Sequence, residues 1–150
     1  VTLYSQRPVL AMAFDFGLRR IGVACGNTLT ASAAPLATVR HGANGPDWLH
    51  LDRLVSAQQP GQLVVGLPYN VDGTPGKLQP ATDEFAEQLA ARYGLPVARA
   101  DERYSSQGAS EHLQAQRRAG TRRRRVVKAD IDSLAAALIL ERWLAGEQQG

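Results

Sequence analysis

Three acidic positions stand where solvation alone explains a carboxylate poorly. Asp15 closes the apolar run Val9–Asp15 beside Gly17, and an ionised carboxylate there is costly unless it is paired or holds a cation. Strand alternation sets Ala11, Ala13 and Asp15 on one face and Leu10, Met12 and Phe14 on the other. The acid therefore shares its face with small residues, and another element can come close. Asp132 heads a helical stripe of Ala135, Ala136, Ile139 and Leu140, which points it inward. Asp130 falls off that stripe and reads better as a helix N-cap. The triplet Asp101-Glu102-Arg103 ends a predicted strand, Val97–Asp101, and ligands tend to bind at the carboxyl ends of strands in open α/β sheets. Each acid also has an ordinary reading: a turn-forming Asp beside Gly, a first-turn acid favoured by the helix dipole, a solvated strand end. Together, three carboxylates from separate segments with no Cys or His cluster form a hard oxygen set, suited to Mg²⁺ or Mn²⁺ rather than Zn²⁺.

Positive charge gathers near the last of these acids. Arg122, Arg123, Arg124 and Arg125, followed by Lys128 and preceded by Arg117 and Arg118, form a tract with no acid among its arginines. A solvated charge run is the usual meaning of such a segment, but its density in a chain of net charge +3 suggests an electrostatic footprint for nucleic acid. All but Lys77 and Lys128 of the 17 cations are arginine, a side chain whose planar fork meets phosphate oxygens in pairs. Gly66-Leu67-Pro68 with Asp72-Gly73-Thr74 predicts a loop whose backbone amides can approach a phosphate. His41, His50 and His112 read as loop or helix-surface residues.

Positioning these groups requires a scaffold that the periodicities outline. Val9–Asp15 and Arg20–Gly26 read as strands joined by the turn Phe16-Gly17-Leu18-Arg19, with Pro35–Val39 as a third strand. A helix started by Asn44-Gly45-Pro46 and marked by Trp48, Leu51, Leu54 and Val55 leads to strand Gln62–Gly66. A second helix, marked by Leu78, Ala81, Phe85, Leu89 and Tyr93 and closed by Gly94, leads to Val97–Asp101. A helix capped by Ser105 or Ser106 and a final helix, Ile131–Ala145, follow. This order predicts a five-stranded mixed sheet flanked by helices in one α/β domain over residues 1–150. The composition, 44% hydrophobic and 21% charged, excludes disorder and collagen. The lone Cys25 excludes a disulfide framework and fits a reducing cytosol. No apolar run approaches the ~20 residues of a membrane span, no secretory signal is evident, and the expectation is a cytoplasmic protein without a membrane partner.

The motifs themselves resemble a known family. Asp15-Phe16-Gly17-Leu18-Arg19-Arg20-Ile21-Gly22-Val23-Ala24 resembles the opening DxGxxRIGVA signature of the bacterial YqgF/RuvX family, the RuvC-like branch of the ribonuclease H-like fold. Gly66-Leu67-Pro68 with Asp72-Gly73, then Asp101-Glu102-Arg103-Tyr104-Ser105-Ser106, then Lys128 with Asp132-Ser133-Leu134-Ala135-Ala136-Ala137-Leu138-Ile139-Leu140, are similar to its later signatures in the right order. The resemblance covers roughly residues 9–145. Two departures are visible: Asn27 stands where many members carry an acid, and the segment Arg122–Lys128 is more basic than the usual loop.

The resemblance implies a metal-dependent phosphodiesterase, a hydrolase that trims the 5′ end of precursor 16S rRNA in ribosome biogenesis, or that cleaves branched DNA as a Holliday junction resolvase homologue. It carries over Asp15, Glu102 and Asp132 as catalytic and metal-binding carboxylates for two Mg²⁺ or Mn²⁺ ions about 4 Å apart. Asp15 is then the shared ligand. Arg20 and Arg103 lie close enough in sequence to these acids to neutralise phosphate or to pair with a carboxylate. Arg122, Arg123, Arg124, Arg125 and Lys128, with the first helix, grip backbone without reading sequence. The competing reading is a catalytically silent RNA-binding or scaffold module, against which retention of all three acids argues. Monomer and homodimer are both compatible with the sequence.

Overall fold

The computed structural model describes residues 9–68, 76–101, 105–120 and 128–149. The elements run β1 (Leu10–Phe16), β2 (Arg20–Asn27), β3 (Ser32–Gly42), β4 (Gly45–Pro46), α1 (Trp48–Gln58), β5 (Gln62–Leu67), α2 (Gln79–Tyr93), β6 (Val97–Asp101), α3 (Ser105–Arg118) and α4 (Lys128–Gln149). One mixed sheet carries the strands in the order β4-β3-β2-β1-β5-β6. β1, β2 and β3 form an antiparallel meander, and β5 and β6 join parallel to β1 and to each other. Parallel neighbours need long crossovers, which α1 and α2 supply.

The described residues hold six strands where the sequence reading expects five. After β3 the chain reverses through Ala43-Asn44, and Gly45, whose φ of +93° favours glycine, pairs together with Pro46 back on Gly42 and His41 before the helix begins. The N-cap of α1 is Asp47, whose carboxylate accepts from the His50 amide at 3.2 Å. β3 is longer than Pro35–Val39 because Ala31, at φ 54°, turns the chain so that pairing already starts at Ser32 opposite Asn27. Asn27 holds that same turn, its Oδ1 accepting from the Leu29 amide at 2.7 Å. α4 starts at Lys128 rather than Ile131, which puts Asp130 in its first turn and removes it from the N-cap position.

The two faces of the sheet are built from side chains of different size, and the helices sort accordingly. Met12, Phe14, Phe16, Ile21, Val23, Val39, Leu63 and Val65 face Leu51 of α1 and Phe85, Ala86 and Leu89 of α2. Phe85 anchors this layer, edge-on to Phe14 at 5.9 Å and tilted against Phe16 at 5.1 Å; burying such a ring contributes about 1.5–3 kcal/mol. Asp52 of α1 accepts two hydrogen bonds from Arg92 of α2, at 2.8 and 2.7 Å, and one from Tyr93 at 2.7 Å, which ties the two helices together. The opposite face is nearly all small. Ala11, Ala13, Val64 and Ala100 pack on Ile139, Leu140 and Leu144 of α4, and Ala24 packs on Ala136 and Ala137. α3 lies against α4.

Small residues let α4 lie almost on the strands, and its repeat matches theirs. Gly22 meets the backbone of Asp132, Ala24 clusters with Ala136, and a Cβ at Gly26 would stand 3.0 Å from Leu140 Cδ2. Four helical residues rise about 6 Å, and two strand residues about 6.8 Å. The steps 132, 136, 140 therefore stay in phase with 22, 24, 26. This phase sets which helical residue arrives beside which strand residue.

Candidate active site

Asp15 pairs across the β1–β2 ladder with Gly22, and directly opposed residues of an antiparallel pair point to the same face. That face is the one on which α4 packs. The missing side chain at Gly22 is what admits the start of the helix: a Cβ there would overlap the carbonyl of Asp132 and stand 3.0 Å from the Ser133 nitrogen. Two acids remote in sequence are thereby brought to one corner of the sheet, Asp15 from a strand end and Asp132 from the first turns of α4. Asp130 projects from another side of the helix, with Ser133, Leu134 and Leu138, into a groove of about 630 Å³ lined also by Ala33 to Leu36 of β3 and His112 and Leu113 of α3.

Further contacts hold the helix start in place. Thr38 Oγ1, on β3 opposite Gly22, donates to the Ala129 carbonyl at 2.8 Å, and Ser133 Oγ donates to the same carbonyl at 3.2 Å. Arg20 Nε donates to Asp132 Oδ2 at 2.5 Å. The pair is partly open to solvent, with side chains 34% and 22% exposed, so it orients more than it stabilises, contributing about 0.2–1 kcal/mol. Of the two roles open to Arg20 in the sequence, the structure displays the carboxylate partner.

The third acid of the sequence reading, Glu102, lies outside the described residues, as do Arg103, Arg122, Arg123, Arg124, Arg125 and the loop containing Asp72, Gly73 and Thr74. In β6, Ala98 and Ala100 belong to the α4 face, and Arg142 of α4 donates through Nη1 to the Asp101 carbonyl at 2.7 Å. Arg99 points to the other face, donating to the carbonyls of Val65 and Gly66 at 3.2 and 3.3 Å and to Asp83 of α2 at 2.6 Å. The end of β5, where Gly66-Leu67-Pro68 begins its loop, is thus anchored from α2. Lys128 is exposed at the start of α4. α1, which the sequence reading expects to bind backbone, packs on the face away from Asp15 and Asp132. His41 is likewise no loop residue: it sits in β3, and its Nδ1 donates to the Gly17 carbonyl at 2.7 Å, clamping the β1–β2 turn.

The donor set agrees with a hard divalent ion. Asp15 and Asp132 offer carboxylates at one corner, and among the described residues no imidazole or thiol accompanies them there. Among the described residues no group of three such side chains closes a metal cluster. Sequence reasoning missed Gly22, although its place on the small-residue face of β2 with Ala24 and Gly26 is a legible signal. It also missed Arg19 and Arg40, which flank Arg20 along the edge of a groove of about 490 Å³.

The sequence profile of the RuvX family, described as Holliday junction resolvase, matches residues 9–146. The chain is 43% identical over 144 residues to a protein of Azotobacter vinelandii (strain DJ / ATCC BAA-1303) named "Putative pre-16S rRNA nuclease", with 95% of this chain and 98% of the relative covered. It is 45% identical over 138 residues to a protein of the same name from Xanthomonas axonopodis pv. citri (strain 306), with 92% and 88% covered. Among solved structures it is similar to Thermus thermophilus RuvC in complex with a Holliday junction substrate, at TM-score 0.52 and 15% identity over 93% of this chain and 96% of that one. It is also similar to the yeast mitochondrial Holliday junction resolvase Ydc2, at TM-score 0.54 and 10% identity over 93% and 79%. At these identities the structural likeness establishes the fold, that of RuvC-like, ribonuclease H-like proteins.

Proposed function

The chain belongs to the RuvX family, and on that premise we propose that it is a metal-dependent nuclease that hydrolyses phosphodiester bonds, trimming the 5′ end of precursor 16S rRNA in the cytoplasm. The observation that carries the reading is the meeting of Asp15 and Asp132 at one sheet corner through the bare Gly22.

Asp15, Asp132 and Glu102 are the residues that would hold Mg²⁺ or Mn²⁺, which when bound supplies Lewis-acid stabilisation of the phosphodiester oxygens and lowers the pKa of water. Arg20 keeps the Asp132 carboxylate in one orientation through Nε and retains its two terminal amino groups for a phosphate oxygen. Lys128 and the tract Arg122–Arg125 add charge just ahead of α4, and Arg103 adds it beside Glu102.

The deciding experiment incubates the purified chain with a labelled precursor 16S rRNA 5′ segment, and in parallel with a four-way DNA junction, across Mg²⁺ and Mn²⁺ titrations. Metal-dependent shortening of the RNA that Asp15→Asn abolishes is the expected result. Cleavage of the junction alone would move the substrate to branched DNA, and binding without cleavage of either would leave only a binding module.

A further inference from the structure

Beside the acidic corner lies a groove of about 490 Å³ bounded by Arg19, Arg20, Arg40 and His41, with Thr38, Val39 and Ala129 along its floor. Its charge is arranged in an unusual way. Arg20 of β2 and Arg40 of β3 are direct partners in the ladder, and like charges directly opposite in a sheet destabilise it. Their common face is the α4 face, because the neighbouring pair Ile21 and Val39 belongs to the opposite core and the next pair brings Thr38 to Ala129. Arg20 is relieved on one side by Asp132. Arg19 and Arg40 have no ion pair with any described residue, and no acidic residue lines the groove.

We propose that this groove holds a phosphate of the substrate strand next to the one cleaved, with Arg40 and Arg19 as its ligands and Arg20 shared between groove and acidic corner. An anion between Arg20 and Arg40 converts a repulsive cross-strand pair into two charge-assisted contacts. The lining carries three guanidinium groups, and the His41 ring leans on Phe16 at 4.9 Å. The groove therefore takes the sugar-phosphate chain without reading sequence. Ala129 follows Lys128 directly in the chain, and Lys128, exposed at the start of α4, adds a further cation to the path. The direction of that path rests on the nuclease reading; binding in the groove does not.

The test measures affinity for a single-stranded RNA oligonucleotide over 50–200 mM salt, in an Asp15→Asn background that prevents cleavage. Variants are Arg40→Gln, the double variant Arg19→Gln with Arg40→Gln, and Arg53→Gln, an exposed control on α1. Each groove arginine lost lowers the slope of log K against log salt by about 0.7 and weakens binding at low salt about tenfold, while Arg53→Gln changes neither. Thermal unfolding of Arg40→Gln without RNA occurs at the same or higher temperature, since the repulsive pair is gone. Wild-type slopes in both groove variants, or no RNA binding by the parent, would overturn the proposal. Cleavage assays on the Asp15-containing protein separate the two readings: cleavage with unchanged groove slopes sinks the groove alone, and reduced slopes without cleavage sink the nuclease alone.

Discussion

Replacing Gly22 by Ala disturbs the acidic corner without touching any group that does chemistry. The new Cβ would lie closer to the Asp132 carbonyl than any real Cβ approaches an oxygen, and 3.0 Å from the Ser133 nitrogen. Both are backbone atoms of a helix held by Thr38 and Ser133, so no flexible side chain can swing away. To reach ordinary contact at about 3.5 Å, the start of α4 must retreat by about 1 Å or more, carrying Asp132 away from Asp15. Overpacking of this kind costs about 1–3 kcal/mol, which for a domain of this size lowers the unfolding midpoint by roughly 2–12 °C. A misplacement of about 1 Å in a catalytic group lowers the rate by about 10²-fold. The assay is single-turnover cleavage of the precursor RNA segment at a temperature where circular dichroism shows the variant folded. Gly22→Ala at the wild-type rate would refute the claim that the Asp132 backbone seated on this glycine places the site.

Asp132→Asn preserves the shape of the side chain and an acceptor for Arg20 but removes the charge, so cleavage should fall by at least about 10²–10³-fold. Because the Arg20 ion pair is partly exposed, the unfolding midpoint should move by no more than about 4 °C; wild-type cleavage would exclude Asp132 as a ligand. Replacing Arg122–Arg125 together by Ala should lower the salt slope of binding by about 0.7 per lost contact on single strands and 0.9 on duplex, and equal slopes would make the tract a solvated run. Arg92, then Tyr93, hydrogen-bonds the Asp52 carboxylate and holds its pKa at about 2, below the ordinary 3.8. A depressed carboxyl stabilises the fold fully above its unfolded pKa and loses that contribution as pH falls through the folded one. The urea midpoint of the wild type should therefore drop more between pH 4 and pH 2 than that of Asp52→Asn, and parallel curves would show that the α1–α2 tie carries no linkage.

Local periodicity and spacing by themselves determined the order of the elements other than β4, the small-residue face beside Asp15 and the inward stripe from Asp132, because alternation and helical repeat are written in neighbouring residues. They also placed the strand Val97–Asp101 at its observed bounds. The motif spacing pointed to the family and through it to the chemistry. Only the tertiary structure decided what depends on distant segments meeting: that Gly22 opposite Asp15 admits the backbone of Asp132, that Arg20 answers to Asp132, and that Arg40 stands across from Arg20. The short β4 and the early start of α4 belong to the same class, since a two-residue pairing and a helix cap leave little trace in hydrophobic pattern. Register and close approach are set by which side chains are absent between layers, and an absence acquires meaning only when the opposing layer is in place.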